Sequence, residues 1–163
     1  MILLAVGTQE PFDRLVRAVD QWAGETGRDV FGQLGRIGQE SYRPANFPWA
    51  PLLPAAEFEA RFAEAPLVIA HAGMGAIIAA LSQAKPLVIM PRRAALGEHR
   101  NDHQLATVEK FRERPGVFVA DDETVLARVL ARALEARSGT ETLAPWAGPE
   151  LLETVRSFIH GGN

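Results

Sequence analysis

Residues 71–75 read His-Ala-Gly-Met-Gly and join an apolar run, residues 66–70 (PLVIA), to a run of small and apolar residues, 75–84 (GAIIAALSQA). The first run has the composition of a strand and the second that of a helix. Where a strand hands over to a helix, several main-chain N–H groups lack a partner and the helix dipole presents its positive end. Gly73 and Gly75 remove the side chains that would hold a ligand away, so phosphate oxygens could reach the main chain. His71 could donate to the same anion or sit as a half-buried, satisfied histidine. A G-x-G pair also makes tight turns, and both readings are open on this stretch alone. No Lys-Ser/Thr pair follows, so this is not a Walker loop. Ile78 stands where the dinucleotide fingerprint would place its third glycine. If the phosphate reading holds, Gly73→Val is expected to remove binding and leave the fold largely intact.

A second polar stretch runs from 91 to 106 and contains Arg92, Arg93, Glu98, His99, Arg100, Asn101, Asp102, His103 and Gln104. Asn101, His103 and Gln104 suit hydroxyl groups and base edges. Arg92 and Arg93 could offset a diphosphate. The competing reading is a solvated loop and helix start, with Asn101 or Asp102 as the N-cap. His99 and His103 are four apart, but no Glu follows the first, as it does in the zinc-protease pattern, and no third ligand is evident. No metal is expected. Ser41, Ser82, Ser138 and Ser157 all lack a nucleophile-elbow context.

The elements that would carry these residues alternate. Residues 2–6 (ILLAV) form a strand, and residues 10–23 show helical spacing, with Phe12, Leu15, Val16, Val19 and Trp22 on one face. Pro11 suits the first helical turn, and Gly24 or Gly27 its end. Residues 29–35 form a weaker strand. Residues 38–54 form an ordered connection with one short strand at most, and 55–65 a short amphipathic helix. After 66–84 come a strand at 85–91, a helix near 99–114 with Leu105, Val108 and Phe111 inward, a strand at 116–120, and a helix at 122–137. A last helix is expected at about 149–160. "PLVIA" and "PLVIM" are apolar throughout, which marks strands covered on both faces. The expected fold is therefore α/β, a parallel sheet between two helix layers, in one domain over 1–163. In such sheets ligands bind beyond the carboxyl ends of the strands, where Gly7, Thr8, His71–Gly75, Arg92 and Asp121 stand.

Composition narrows the classes. The chain has 163 residues, 47% of them hydrophobic, and a formal charge of −3. No basic excess favours a nucleic-acid partner. Without cysteine there are no disulfides or thiolate metal sites. No run approaches a membrane span, and the start lacks a signal-peptide pattern, so a cytoplasmic protein is expected.

Together "HAGMG", "KPLVIMPR" and "EHRNDHQ" resemble the C-terminal, donor-binding half of family 28 glycosyltransferases. "VGTQEPFDRLV" resembles the opening of stand-alone versions of that half. These are the catalytic subunit of the dolichol-linked N-acetylglucosaminyltransferase and bacterial exopolysaccharide subunits of the PssE type. The resemblance runs from Met1 to about Arg137. It implies a Rossmann-like half of a GT-B glycosyltransferase that binds a nucleotide sugar, with UDP as the family default and no cofactor. It also implies a membrane-anchored partner subunit that holds a lipid-linked acceptor at the inner face of the membrane. Carried over by position, His71, Gly73, Met74 and Gly75 would lie at the diphosphate. Gly7 and Thr8 would face the cleft, and Glu98, Asn101, His103 and Gln104 would meet the donor sugar or ribose. His71 and Glu98 are the candidate bases. A glucuronosyl donor could present its carboxylate to Arg92, Arg93 and Arg100; a plain hexosyl donor is the other expectation. Relatives carry a ribose-holding glutamate where this chain has Ala79; Glu98 or Gln83 could replace it. The alternatives are a non-catalytic nucleotide-binding module and a nucleotide-sugar hydrolase or epimerase.

Overall fold

The computed structural model describes residues 1–138. Six strands form one sheet: β1 Ile2–Ala5, β2 Val30–Gln33, β3 Trp49–Ala50, β4 Val68–His71, β5 Leu87–Met90 and β6 Val117–Val119. All pairs are parallel, in the order β3-β2-β1-β4-β5-β6. Five helices connect or flank them: α1 Asp13–Thr26, α2 Ala55–Glu64, α3 Met74–Ser82, α4 His103–Phe111 and α5 Glu123–Ser138. The doubly covered, Rossmann-like sheet anticipated from the sequence is present. The helix expected at 149–160 lies outside the described residues.

Two cores explain the unbroken apolar strands. Side chains alternate across a strand, so Ile2 and Leu4 face α1 and α5, among Leu15, Val19, Leu126 and Leu130. Leu3, Val68 and Ile89 face the other way, onto Phe62, Ile77, Val108 and Phe111. Every residue of β1 and of β5 is buried. Such strands have no solvent face on which to place a polar residue.

Several local readings shift. α1 begins at Asp13 rather than Pro11, because the Pro11 carbonyl accepts from the Arg92 guanidinium and is held outside the helix. The helix stops at Gly27, which takes φ +63° and returns its N–H to the Ala23 carbonyl at 2.9 Å. In α4, Val108 and Phe111 point inward, but Leu105 is 38% exposed and Gln104 is buried in its place. The connection at 38–54 is ordered because it wraps a buried carboxylate. Asp20 accepts from the Tyr42 hydroxyl at 2.6 Å, the Ala45 N–H at 3.1 Å and the Asn46 N–H at 2.7 Å. Burial acts to raise its pKa, yet these donors together hold it below the ordinary aspartate value.

Candidate functional site

The strand order reverses between β1, which continues to β2 on one side, and β4, which lies on the other. Loops leaving such a pair diverge to opposite faces and leave a crevice. Here a cavity of about 740 Å³ opens at that point. Its floor is the end of β1 with Gly7–Glu10 and the start of α3 with Gly73–Ala76. That volume falls within the range of sites that enclose small-molecule ligands.

The first turn of α3 is the main polar feature of the floor. Gly73 is its N-cap residue, and no side chain caps it. The Gly73 N–H is already given to the His71 carbonyl at 2.7 Å, and Ile77 N–H to the Gly73 carbonyl at 3.3 Å. The N–H groups of Met74, Gly75 and Ala76 therefore remain without intrahelical partners. All three residues line the cavity. The two glycines do different things. A Cβ on Gly73 would stand 2.2 Å from His71 Nε2, whereas one on Gly75 meets nothing within 4 Å. Gly73 is small so that His71 can pack; Gly75 is small and faces open space. Valine at 73 therefore tests packing as much as binding, and the expectation that Gly73→Val spares the fold is corrected.

His71 ends β4 with its ring between the two loops. A Cβ on Gly7, which takes φ +88°, would lie 3.0 Å from its Cε1. Its Nδ1 is buried and makes no hydrogen bond with the described residues. Burial, then the charge of Arg92, push the imidazole pKa down to about 4; His99 adds to this and the Ala5 main chain opposes it. The ring is thus neutral near pH 7 and a weak base. It can still donate one N–H to an anion.

Arg92 has a task the sequence does not announce. It is 3% exposed and stacks on the Phe12 ring, 4.6 Å from its centroid. One terminal nitrogen donates to the carbonyls of Val6 at 2.7 Å and Glu10 at 2.6 Å. The other donates to the carbonyls of Pro11 and Glu98. With both terminal nitrogens engaged, Arg92 organises the loop after β1 and contributes positive potential to the cavity wall. The direct grip on a diphosphate or a donor carboxylate expected of it is taken up by main chain. Gln104 lines the same wall; its carbonyl oxygen accepts the Arg92 N–H at 3.0 Å. Its side-chain amide N–H group makes no hydrogen bond with the described residues.

The rest of the polar stretch divides. His99 lines the cavity, with Nδ1 3.1 Å from Asn101 Oδ1. Glu98 does not line it: Arg14 holds both carboxylate oxygens at 2.7 Å, and the Arg93 N–H adds a 2.9 Å bond. A carboxylate so engaged is a structural clasp, which corrects its reading as a base or a sugar contact. Asn101 faces His99 and the His103 N–H at 3.4 Å, and His103 is exposed at the start of α4; neither lines the cavity. Asp102, the N-cap residue of α4, sends its side chain to the Ala94 N–H instead of capping. Arg93 reaches the Asp121 carbonyl, and Arg93, Arg100 and Gln83 do not line the cavity. Gly7, Thr8, His71, Gly73, Met74, Gly75, Arg92 and Gln104 line one cavity. No group of three or more His, Cys, Asp or Glu residues is placed to hold a metal among the described residues.

Sequence reasoning missed the apolar half of the cavity. Leu52 and Leu53 precede α2, and Phe58 and Phe62 stand on it; with Ala79 on α3 they form one wall. It also missed Glu10, the only carboxylate among the described residues that line the cavity. The available clue for the first was the i, i+4 spacing of Phe58 and Phe62 on the amphipathic helix.

Comparison with known proteins bears directly on this geometry. The description "Glycosyltransferase family 28 C-terminal domain" matches residues 1–144. The chain belongs to this family. No curated protein matches it by sequence. Among solved structures it resembles ALG13 in solution, with 22% identity and a TM-score of 0.57, covering 90% of this chain and 89% of that one. It resembles MurG of Acinetobacter baumannii at 16% identity and TM-score 0.58, covering 93% of this chain and 49% of that one. The kitacinnamycin glycosyltransferase gives 18% identity and TM-score 0.59, covering 98% of this chain and 38% of that one. At such identities these likenesses establish the fold. The family 28 domain therefore spans well under half of the kitacinnamycin enzyme's length, whereas it is nearly coextensive with the ALG13 structure. No helix among the described residues is long and apolar enough to cross a membrane.

Proposed function

We propose that this family 28 domain is the donor-binding and catalytic subunit of a nucleotide-sugar glycosyltransferase. It binds a nucleoside diphosphate sugar, with UDP as the nucleotide. Acting with a membrane-anchored subunit, it passes a hexosyl or glucuronosyl group, with inversion, to a lipid-linked acceptor in polysaccharide assembly. The uncapped N-terminus of α3, opening beside Gly75 into the cavity at the sheet's switch point, carries the reading. The family membership supports the donor.

The chemistry follows from those residues. Transfer breaks the bond between the sugar and the diphosphate, so negative charge grows on the diphosphate. The N–H groups of Met74, Gly75 and Ala76, the α3 dipole and the Arg92 charge stabilise that growing charge from fixed positions. The donor sugar then lies toward Thr8, Glu10, His99 and Gln104, where polar groups line the cavity. The acceptor hydroxyl needs a base. His71 has a depressed pKa and Glu98 is clasped by Arg14. Glu10 on this chain, or a group from the acceptor-binding subunit, is the better placed. A base supplied by that subunit would favour a transferase that works with its partner over an autonomous hydrolase or epimerase.

Calorimetry with UDP, UDP-N-acetylglucosamine and UDP-glucuronic acid tests donor binding. Binding of all three in the micromolar range supports the reading. Binding of none at millimolar concentration refutes it. Hydrolysis of the donor by the isolated chain would favour the hydrolase.

A further inference from the structure

The cavity is chemically divided, and the division orients a nucleotide. Its polar half, with Thr8, Glu10, His99 and Gln104, gathers around Arg92, which stacks on Phe12 of the α1 face and bonds the Glu10 carbonyl and the Gln104 side chain. Its apolar half, with Leu53, Phe58, Phe62 and Ala79, belongs to or packs against the core on the opposite face. The N-terminus of α3 lies between them. A diphosphate at that N-terminus puts the sugar toward the polar rim and the flat, weakly polar base toward the phenylalanines. The ribose joins base to phosphate, so it must lie between Gly75 and the apolar wall. Ala79 is one turn along α3 from Gly75, on the same face, and lines the cavity there.

Among the described residues, no carboxylate lines that part of the cavity to hold a ribose diol. Ala79 has only a methyl group, and its carbonyl accepts from the Ser82 hydroxyl at 3.0 Å. Gln33, 6% exposed at the end of β2, also lines the cavity. Its carbonyl oxygen is engaged by the Leu53 N–H at 2.9 Å, which leaves a donor suited to a base carbonyl. A hydroxyl recognised by a carboxylate gives strong discrimination, because loss of the hydroxyl strands a buried acceptor. Here no acceptor is stranded.

From this wall we infer that the site is indifferent to the nucleotide's 2′-hydroxyl. It accepts deoxyribonucleoside and ribonucleoside diphosphates alike, and Ala79 is the residue that makes it so. The inference rests on the donor-binding reading above and specifies its substrate class further.

The test is the dissociation constants of UDP and 2′-deoxy-UDP, measured by calorimetry on the full chain and on Ala79→Glu and Ala79→Gln. The wild-type constants should agree within about threefold. Ala79→Glu should favour UDP by about tenfold or more, as expected for a newly formed charged hydrogen bond. Ala79→Gln should shift the ratio in the same direction and covers the case in which the glutamate variant fails to fold. A wild-type preference for UDP of tenfold or more overturns the inference while leaving the donor site standing. Binding of neither nucleotide, with inorganic diphosphate also silent, removes the donor site and the inference with it.

Discussion

Replacing Gly75 by alanine separates what the α3 N-terminus contributes to folding from what it contributes to binding. Gly75 is the second residue of α3, and a Cβ there meets no atom within 4 Å. The helix should gain stability, because alanine restricts the unfolded chain and glycine is about 1 kcal/mol worse in a helix interior. In the first turn about half that gain is reasonable. For a domain of this size, about 0.5 kcal/mol raises Tm by roughly 1–2 °C. On the proposed donor-binding reading, the same methyl would stand where a phosphate oxygen has to come within about 2.9 Å of the Met74 to Ala76 N–H groups. Losing one or two such charge-assisted bonds weakens binding by roughly 1.5–3 kcal/mol, or tenfold and more in Kd. Scanning fluorimetry should therefore show a slightly more stable protein, and calorimetry with UDP a markedly weaker one. Gly73→Ala should do the reverse in stability, since its Cβ would sit 2.2 Å from His71 Nε2 and displace the ring. If Gly75→Ala binds UDP within twofold of the parent, the open space beside α3 is not the phosphate seat and the site has been misplaced.

Further outcomes follow from the same contacts. Arg92→Met should destabilise the domain by about 3 kcal/mol in urea titrations, because the buried Val6 carbonyl and three part-buried carbonyls lose their donor together. Arg92→Lys should not restore it, as an ammonium cannot both stack on Phe12 and reach those carbonyls. Glu98→Gln should lower Tm by breaking the Arg14 clasp yet leave the UDP Kd within about threefold, which fluorimetry and calorimetry on one sample can check. A large loss of binding would return Glu98 to the site. His71 is buried and beside Arg92, with its pKa near 4 in the fold against 6.5 unfolded. The unfolded chain then takes up a proton that the fold refuses, so this contribution is complete above pH 6.5 and is lost between 6.5 and 4. The slope is about 1.4 kcal/mol per pH unit. The difference between wild-type and His71→Gln stability across that window isolates it, and an NMR titration of His71 near 6.5 would contradict it.

Local composition settled much of this protein. Runs apolar at every position, residues 2–5 and 87–90, have no side for water, and that alone requires a sheet covered on both faces. The 3.6-residue spacing of α1 and the glycines at the β4–α3 junction are equally local facts, as is the position of that junction at the ligand-bearing edge of a parallel sheet. The G-x-G pattern marked the place but could not divide the labour between Gly73, which yields to His71, and Gly75, which yields to the cavity. Arg92 and Glu98 read as ligand-binding charges because sequence displays charge and hides partners. Val6 and Glu10 are 86 and 82 positions from Arg92, and Arg14 is 84 from Glu98. The apolar wall was hidden for the same reason: Phe58 and Ala79 line one cavity only once β4 has been laid between α2 and α3. Periodicity and small-residue punctuation act over a few residues and can be read directly, whereas the partner of a long side chain depends on which distant segments the topology brings within a few ångströms.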